Sequence, residues 1–152
     1  GETIEGGEGK AVLVFRKKLG DKSDWYNGYG YVDLMSPKVV DAFIDSTYEA
    51  YKGEFRGEFG RMIPGIFTDE PNISQWGKTP SVPWTERLPE FFKERNDYDI
   101  LDALPSLFYD FGEYMRVRVD FWNSVTELFL ESLIDQIPFP FIPLNIAVHI
   151  EI

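Results

Sequence analysis

Two adjacent carboxylates, Asp69 and Glu70, end an apolar run in the stretch GIFTDEPN, residues 65–72. Pro71 follows them and disfavours helical geometry at Glu70, so the pair is predicted to lie in a loop. Carboxylates at the end of a buried strand can be presented to a ligand that docks above the sheet. A second interpretation is a solvated turn, because Asp often hydrogen-bonds its own backbone at turns. Spacing alone leaves both interpretations open.

Aromatic residues lie close to these carboxylates in the sequence. Trp76 and Trp84 lie in the same loop, and Trp25, Tyr26 and Tyr29 follow the first apolar run of the chain. A flat ring stacks well on the apolar face of a sugar, so these side chains are candidates for substrate binding. The alternative is that the rings pack the loops onto the core or onto a partner.

Metal and triad chemistry are not expected. Asp33 ends a second strand-like segment and could ligate calcium with Asp69 and Glu70, but the spacing fits no EF-hand and no His-rich cluster is present. His149 is the only histidine, and its place in an alternating apolar segment lets it face either a site or the surface. Without a G-x-S-x-G motif, a Ser-His-Asp triad is not expected. No cofactor is implied.

Composition limits the partners of the chain. Acidic residues outnumber basic ones by 26 to 15, and a formal net charge of -11 repels nucleic acid and anionic membranes. The longest apolar region, residues 137–148, contains three prolines and falls short of the roughly 20 residues that cross a bilayer. Neither a nucleic acid partner nor a membrane span is expected. With no cysteine and no secretory signal pattern, localisation stays open.

Four segments are predicted to be strands. The run AVLVF at residues 11–15 and residues 62–67 are continuous apolar runs typical of strands buried on both faces. Residues 31–34 form a shorter extended segment. Residues 145–152 alternate between apolar and other side chains, as a half-buried strand does.

Four segments are predicted to be helices. Ser36 can cap a helix with Pro37 at its first position, and an apolar stripe carries that helix to about residues 53–57. The stripe consists of Val40, Phe43, Ile44, Thr47, Tyr48, Tyr51 and Phe55. Residues 88–94 and 99–104 are predicted to be short helices, and residues 111–136 a long one.

This order of elements predicts an α/β fold with a largely parallel sheet in a single domain, residues 1–152. Loops converge at the carboxyl ends of parallel strands, and ligands bind there. Asp69 and Glu70 occupy such a position, so we expect them to be presented to a ligand above the sheet.

The stretch IPGIFTDEP (residues 63–71), together with PWTERLPEFF (residues 83–92), resembles bacterial glycoside hydrolases of the α-L-rhamnosidase-like, TIM-barrel type. The resemblance covers about residues 12–134. It implies a partial (β/α)8 barrel of three to four strands, a carbohydrate substrate, and Glu70 as the general acid/base. Asp69 and Asn72, on either side of Glu70 and Pro71, are then expected to orient or bind the sugar.

The chain departs from that family in two respects. A full barrel takes about 250 residues, whereas this chain has 152. Cleavage of a glycosidic bond needs a second carboxyl group besides the general acid, as nucleophile or to activate water. Residues 137–152 are either a divergent version of the next strand, with Glu151 as that second carboxylate, or foreign sequence. An inactive barrel fragment that self-associates through open sheet edges, and a carbohydrate-binding module without catalysis, are therefore the alternatives.

Overall fold

The computed structural model describes residues 12–65, 71–73 and 80–136, and this part of the chain is mainly helical. The predicted α/β fold and partial TIM barrel are therefore wrong. Across the described residues the only β pairing is two isolated bridges, Ser23 with Tyr29 and Phe59 with Ile63. Neither bridge extends into a strand, so the described helices do not pack on a sheet.

Three helices enclose the core: α3 (Leu88–Asn96), α4 (Ile100–Phe108) and α5 (Tyr114–Phe129). All three predicted helices of this region are confirmed. Asp99 caps α4, its carboxylate accepting a hydrogen bond from Leu101 N at 3.0 Å. The core cluster consists of Met35, Leu88, Phe92, Ile100, Val117, Phe121, Val125 and Leu128.

A second helical region precedes this core. It begins as α1 (Pro37–Ile44), passes through a π-helical segment (Asp45–Glu49) and ends as α2 (Ala50–Phe55). The predicted helix is thus confirmed in position, with Pro37 in its first turn, although the Ser36 side chain makes no capping bond. Of the predicted apolar stripe only Val40 is fully buried, and among the described elements only the π-helical segment packs against α2. We call residues 37–55 the helical arm.

The predicted strands are not formed where the structure describes them. Residues 12–15 are irregular and exposed, and Met62 is 79% exposed. Residues 31–34 pass into a turn, where Asp33 accepts a hydrogen bond from Met35 N at 3.0 Å. A continuous apolar run needs a pairing strand to become a buried strand, and these runs have none among the described residues. The predicted strand 145–152 lies outside them.

Met35, two residues before the arm, is anchored by a buried hydrogen bond. Ser132, in the π-helical segment Leu130–Ile134 that continues α5, donates through its hydroxyl to the carbonyl of Met35 at 2.8 Å. Both residues are buried, so this bond satisfies two polar groups that water cannot reach. Among the described helices none is long and apolar enough to span a bilayer.

Candidate functional site

Residues 23–31, which we call the aromatic turn, form a closed loop. Its ends are joined by the bridge between Ser23 and Tyr29, with Ser23 N donating to Tyr29 O at 3.1 Å. The reversal is made by Asn27 and Gly28, whose φ angles of 54° and 81° lie in the left-handed region. Gly30 lies so close to Gly20 that an added Cβ would meet the Gly20 carbonyl oxygen at 2.8 Å. The turn is therefore held by its own backbone.

This backbone exposes two aromatic side chains. Trp25 is 88% exposed and Tyr29 is 69% exposed. The ring of Tyr26, itself 38% exposed, packs against the ring of Tyr31 with their centroids 5.1 Å apart. Rings that a turn leaves in solvent have the exposure that a sugar-stacking role requires.

The aromatic turn contacts the segment that follows the two carboxylates. Asn72 N donates to the hydroxyl of Tyr31 at 3.2 Å, across 41 residues of sequence. Next to it, Ile73 packs against the core cluster. The backbone two residues after Glu70 is thereby fixed beside the turn. Sequence analysis missed the role of Tyr31, because only its distant partner distinguishes it from the other tyrosines.

The remaining described candidates take structural positions. Trp84 is half-buried and packs against the core, which is the alternative considered for the loop aromatics. The carboxylate of Asp33 accepts the Met35 backbone bond and so closes a turn before α1. Neither side chain joins Trp25 and Tyr29 at the surface of the aromatic turn.

Five predicted site residues lie outside the described residues: Asp69, Glu70, Trp76, His149 and Glu151. Within the described part of the chain, no group of three or more potential metal ligands is found.

A shallow cleft on α3 lies apart from the aromatic turn. It is lined by Arg87, Glu90, Phe91 and Glu94, and its volume of about 190 Å³ is below the range of typical ligand pockets. Arg87 also lies 3.4 Å from Glu131 in an exposed ion pair. None of the predicted site residues that the structure describes lines this cleft.

Two described groups have shifted pKa values, and neither belongs to the aromatic turn. Lys17 donates to the Glu86 carboxylate at 3.0 Å, and this bond lowers the pKa of that exposed group. Burial, followed by a hydrogen bond to Asp120, raises the pKa of Tyr98 above its ordinary value. Both shifts arise from ion pairing and packing between elements.

Comparison with known proteins assigns no family: no family model, curated protein or solved structure matches the chain.

Proposed function

We propose that the chain acts on carbohydrates as a glycoside hydrolase, or as the catalytic segment of one, with Glu70 as the general acid/base. The observation that supports this most is the hydrogen bond from Asn72 N to the Tyr31 hydroxyl at 3.2 Å. It joins the residues that directly follow the carboxylates in the sequence to the aromatic turn. The sequence resemblance to α-L-rhamnosidase-like hydrolases points to the same assignment, although the barrel that it implied is not formed among the described residues.

In this proposal the aromatic turn binds the sugar. The exposed rings of Trp25 and Tyr29 stack on the apolar face of a pyranose, while Asp69 and Asn72 bind its hydroxyls. Glu70 protonates the leaving oxygen as the glycosidic bond breaks, and a second carboxylate, for which Glu151 is the candidate, serves as nucleophile or activates water. The like charge of Asp69 beside Glu70 favours the protonated form that an acid catalyst needs.

The test of the catalytic role is Glu70→Gln, which keeps the size of the side chain but cannot supply the proton. We expect release of nitrophenol from aryl glycosides, including the α-L-rhamnoside, to fall by a factor of about 100 or more. Glu54→Gln is the matched control, because Glu54 is an exposed glutamate in α2, and its rate should equal that of the wild type. Equal rates for Glu70→Gln and the wild type would refute the role of Glu70.

A carbohydrate-binding module without catalysis is the second candidate. The exposure of Trp25 and Tyr29 favours it, because stacking on a sugar requires no acid. Calorimetry of the wild type with oligosaccharides distinguishes the two functions. Heat of binding without hydrolysis, lost in Trp25→Ala, would indicate the module, and hydrolysis abolished by Glu70→Gln would indicate the enzyme.

A further inference from the structure

The outer face of α5 is apolar, although it points away from the core. Its residues recur at spacings of three and four and form what we call the outer stripe: Met115, Val119, Trp122, Thr126 and Leu130. Met115 is 68% exposed, Val119 59%, Trp122 45% and Leu130 44%. The opposite face of α5 supplies Val117, Phe121, Val125 and Leu128 to the core.

An amphipathic helix at a protein surface normally has a polar outer face. Here both faces are apolar, and each of the four large apolar side chains of the outer stripe is at least 44% exposed. A contiguous exposed apolar stripe of this length is typical of a surface that binds a partner. Among the described residues the two isolated β-bridges offer no sheet edge for the predicted self-association, whereas the outer stripe offers an exposed apolar surface.

The order of residues in the outer stripe fits a second copy of the same helix. If two α5 helices run antiparallel about a two-fold axis near Trp122, Met115 of one copy faces Leu130 of the other. In the same register Val119 faces Thr126 of the second copy, and the two Trp122 side chains meet at the axis. Each of these contacts therefore occurs twice, with the two copies interchanged, as an isologous interface requires.

The charges beside the stripe fit the same register. Arg116 and Glu127 lie eleven residues apart, about three helical turns, and therefore on the same side of α5. In an antiparallel pair this side of one helix lies next to the same side of the other, and the two sequences run in opposite directions. Arg116 of each copy therefore faces Glu127 of the other. The Arg116 side chain is 58% exposed and the Glu127 side chain 37% exposed.

Both charges already have partners within the chain. Arg116 lies 3.3 Å from Glu113 and 3.5 Å from Asp120, and Glu127 pairs with Arg95. Pairing between copies would extend these exposed ion pairs into two networks related by the two-fold axis. We propose that the chain forms a homodimer through antiparallel packing of α5 about Trp122, with Arg116 and Glu127 setting the register.

Sedimentation velocity of the full chain tests the interface, at about 0.15 M salt to screen the repulsion between two copies of net charge -11. The wild type should sediment as a dimer, twice the chain mass of 17.6 kDa, at concentrations of about 1–100 µM. Val119→Glu should raise the dimer dissociation constant by a factor of about 10 or more, because it places a charge in the apolar contact. Leu101→Glu is the control, since Leu101 is a 52% exposed residue of α4 outside the stripe.

Charge reversal tests the register. Arg116→Glu alone puts two glutamates opposite each other, and Glu127→Arg alone puts two arginines opposite each other, so each variant should dimerise more weakly than the wild type. A one-to-one mixture restores both opposite-charge contacts in the heterodimer and should dimerise better than either variant alone. Circular dichroism of each variant should show the helical signal of the wild type.

A monomeric wild type throughout the concentration range would overturn the proposal. So would dimerisation unaffected by Val119→Glu, or a mixture that dimerises no better than its components.

Discussion

At the scale of single residues, Tyr98 joins α5 to the loop between α3 and α4. Its hydroxyl donates to the Asp120 carboxylate at 2.9 Å, and its ring packs edge-on against Phe92 with centroids 5.0 Å apart. Arg116 lies over the same ring at 5.1 Å from its centroid. Burial and the carboxylate both disfavour tyrosinate, and they raise the pKa of Tyr98 above its ordinary value of 10.0.

Tyr98→Phe should lower the free energy of unfolding by about 1 kcal/mol at pH 7, because it removes the hydrogen bond but keeps the ring. Since the folded-state pKa is raised, the contribution is present in full below the unfolded-state pKa, near 10, and is lost as pH rises above it. Urea unfolding of both proteins from pH 7 to 11 measures this difference. A difference that stayed constant across that range would show that the Tyr98 proton does not contribute.

At the scale of elements, the helices could be predicted from the sequence because their signals are local. Pro37 at the start of α1 and Asp99 before α4 mark boundaries that the structure confirms, and α5 lies within the residues 111–136 predicted to be helical. The strands could not be predicted, because an apolar run such as residues 12–15 becomes a strand only beside a partner strand. The candidate site could not be predicted either, because the hydrogen bond between Tyr31 and Asn72 joins residues that are 41 positions apart in the sequence.

Arg118 shows how one helix completes the end of another. From α5 its Nε donates to the Ser106 carbonyl at 3.0 Å, near the carboxyl end of α4, and its guanidinium lies 3.0 Å from Asp110. Carbonyls in the last turn of a helix have no partner within that helix, so a charged donor from α5 replaces it.

Arg118→Leu should therefore lower the free energy of unfolding by about 1–2 kcal/mol, because the Ser106 carbonyl loses its charged donor. Arg87→Leu is a matched control: Arg87 makes only an exposed ion pair with Glu131, which contributes about 0–1 kcal/mol. Urea denaturation at pH 7 measures both. Equal losses for the two variants would mean that Arg118 contributes no more than a surface ion pair.

At the scale of the whole molecule, the described chain divides into a packed core and a weakly attached arm. α3, α4 and α5 contact one another, whereas α1 reaches the core through the Leu130–Ile134 segment, and α2 contacts only the π-helical segment before it. Phe43 and Tyr51 on the arm are 42% and 60% exposed. Regions with few buried contacts open at lower free energy than the global transition, so we expect the arm to open separately from the core.

The hydrogen bond from Ser132 to the Met35 carbonyl fixes the chain two residues before this arm. Ser132→Ala leaves that buried carbonyl without its partner, at a cost of about 1–3 kcal/mol. Because the bond fixes the chain just before the arm on the segment that α1 packs against, and joins no two of α3, α4 and α5, we expect the cost to fall mainly on opening of the arm. Amide hydrogen exchange followed by mass spectrometry should show faster exchange in residues 37–55, while peptides from the three core helices keep their protection.

Ser46→Ala is the control for this experiment, because Ser46 donates to the Phe43 carbonyl within the exposed arm itself. It removes a hydroxyl of the same kind without touching the junction, so exchange in residues 37–55 should change much less than in Ser132→Ala. If Ser132→Ala instead accelerated exchange equally in the arm and in α5, the arm and core would open as one cooperative unit. The junction at Met35 would then contribute to global stability and not to a separate local equilibrium.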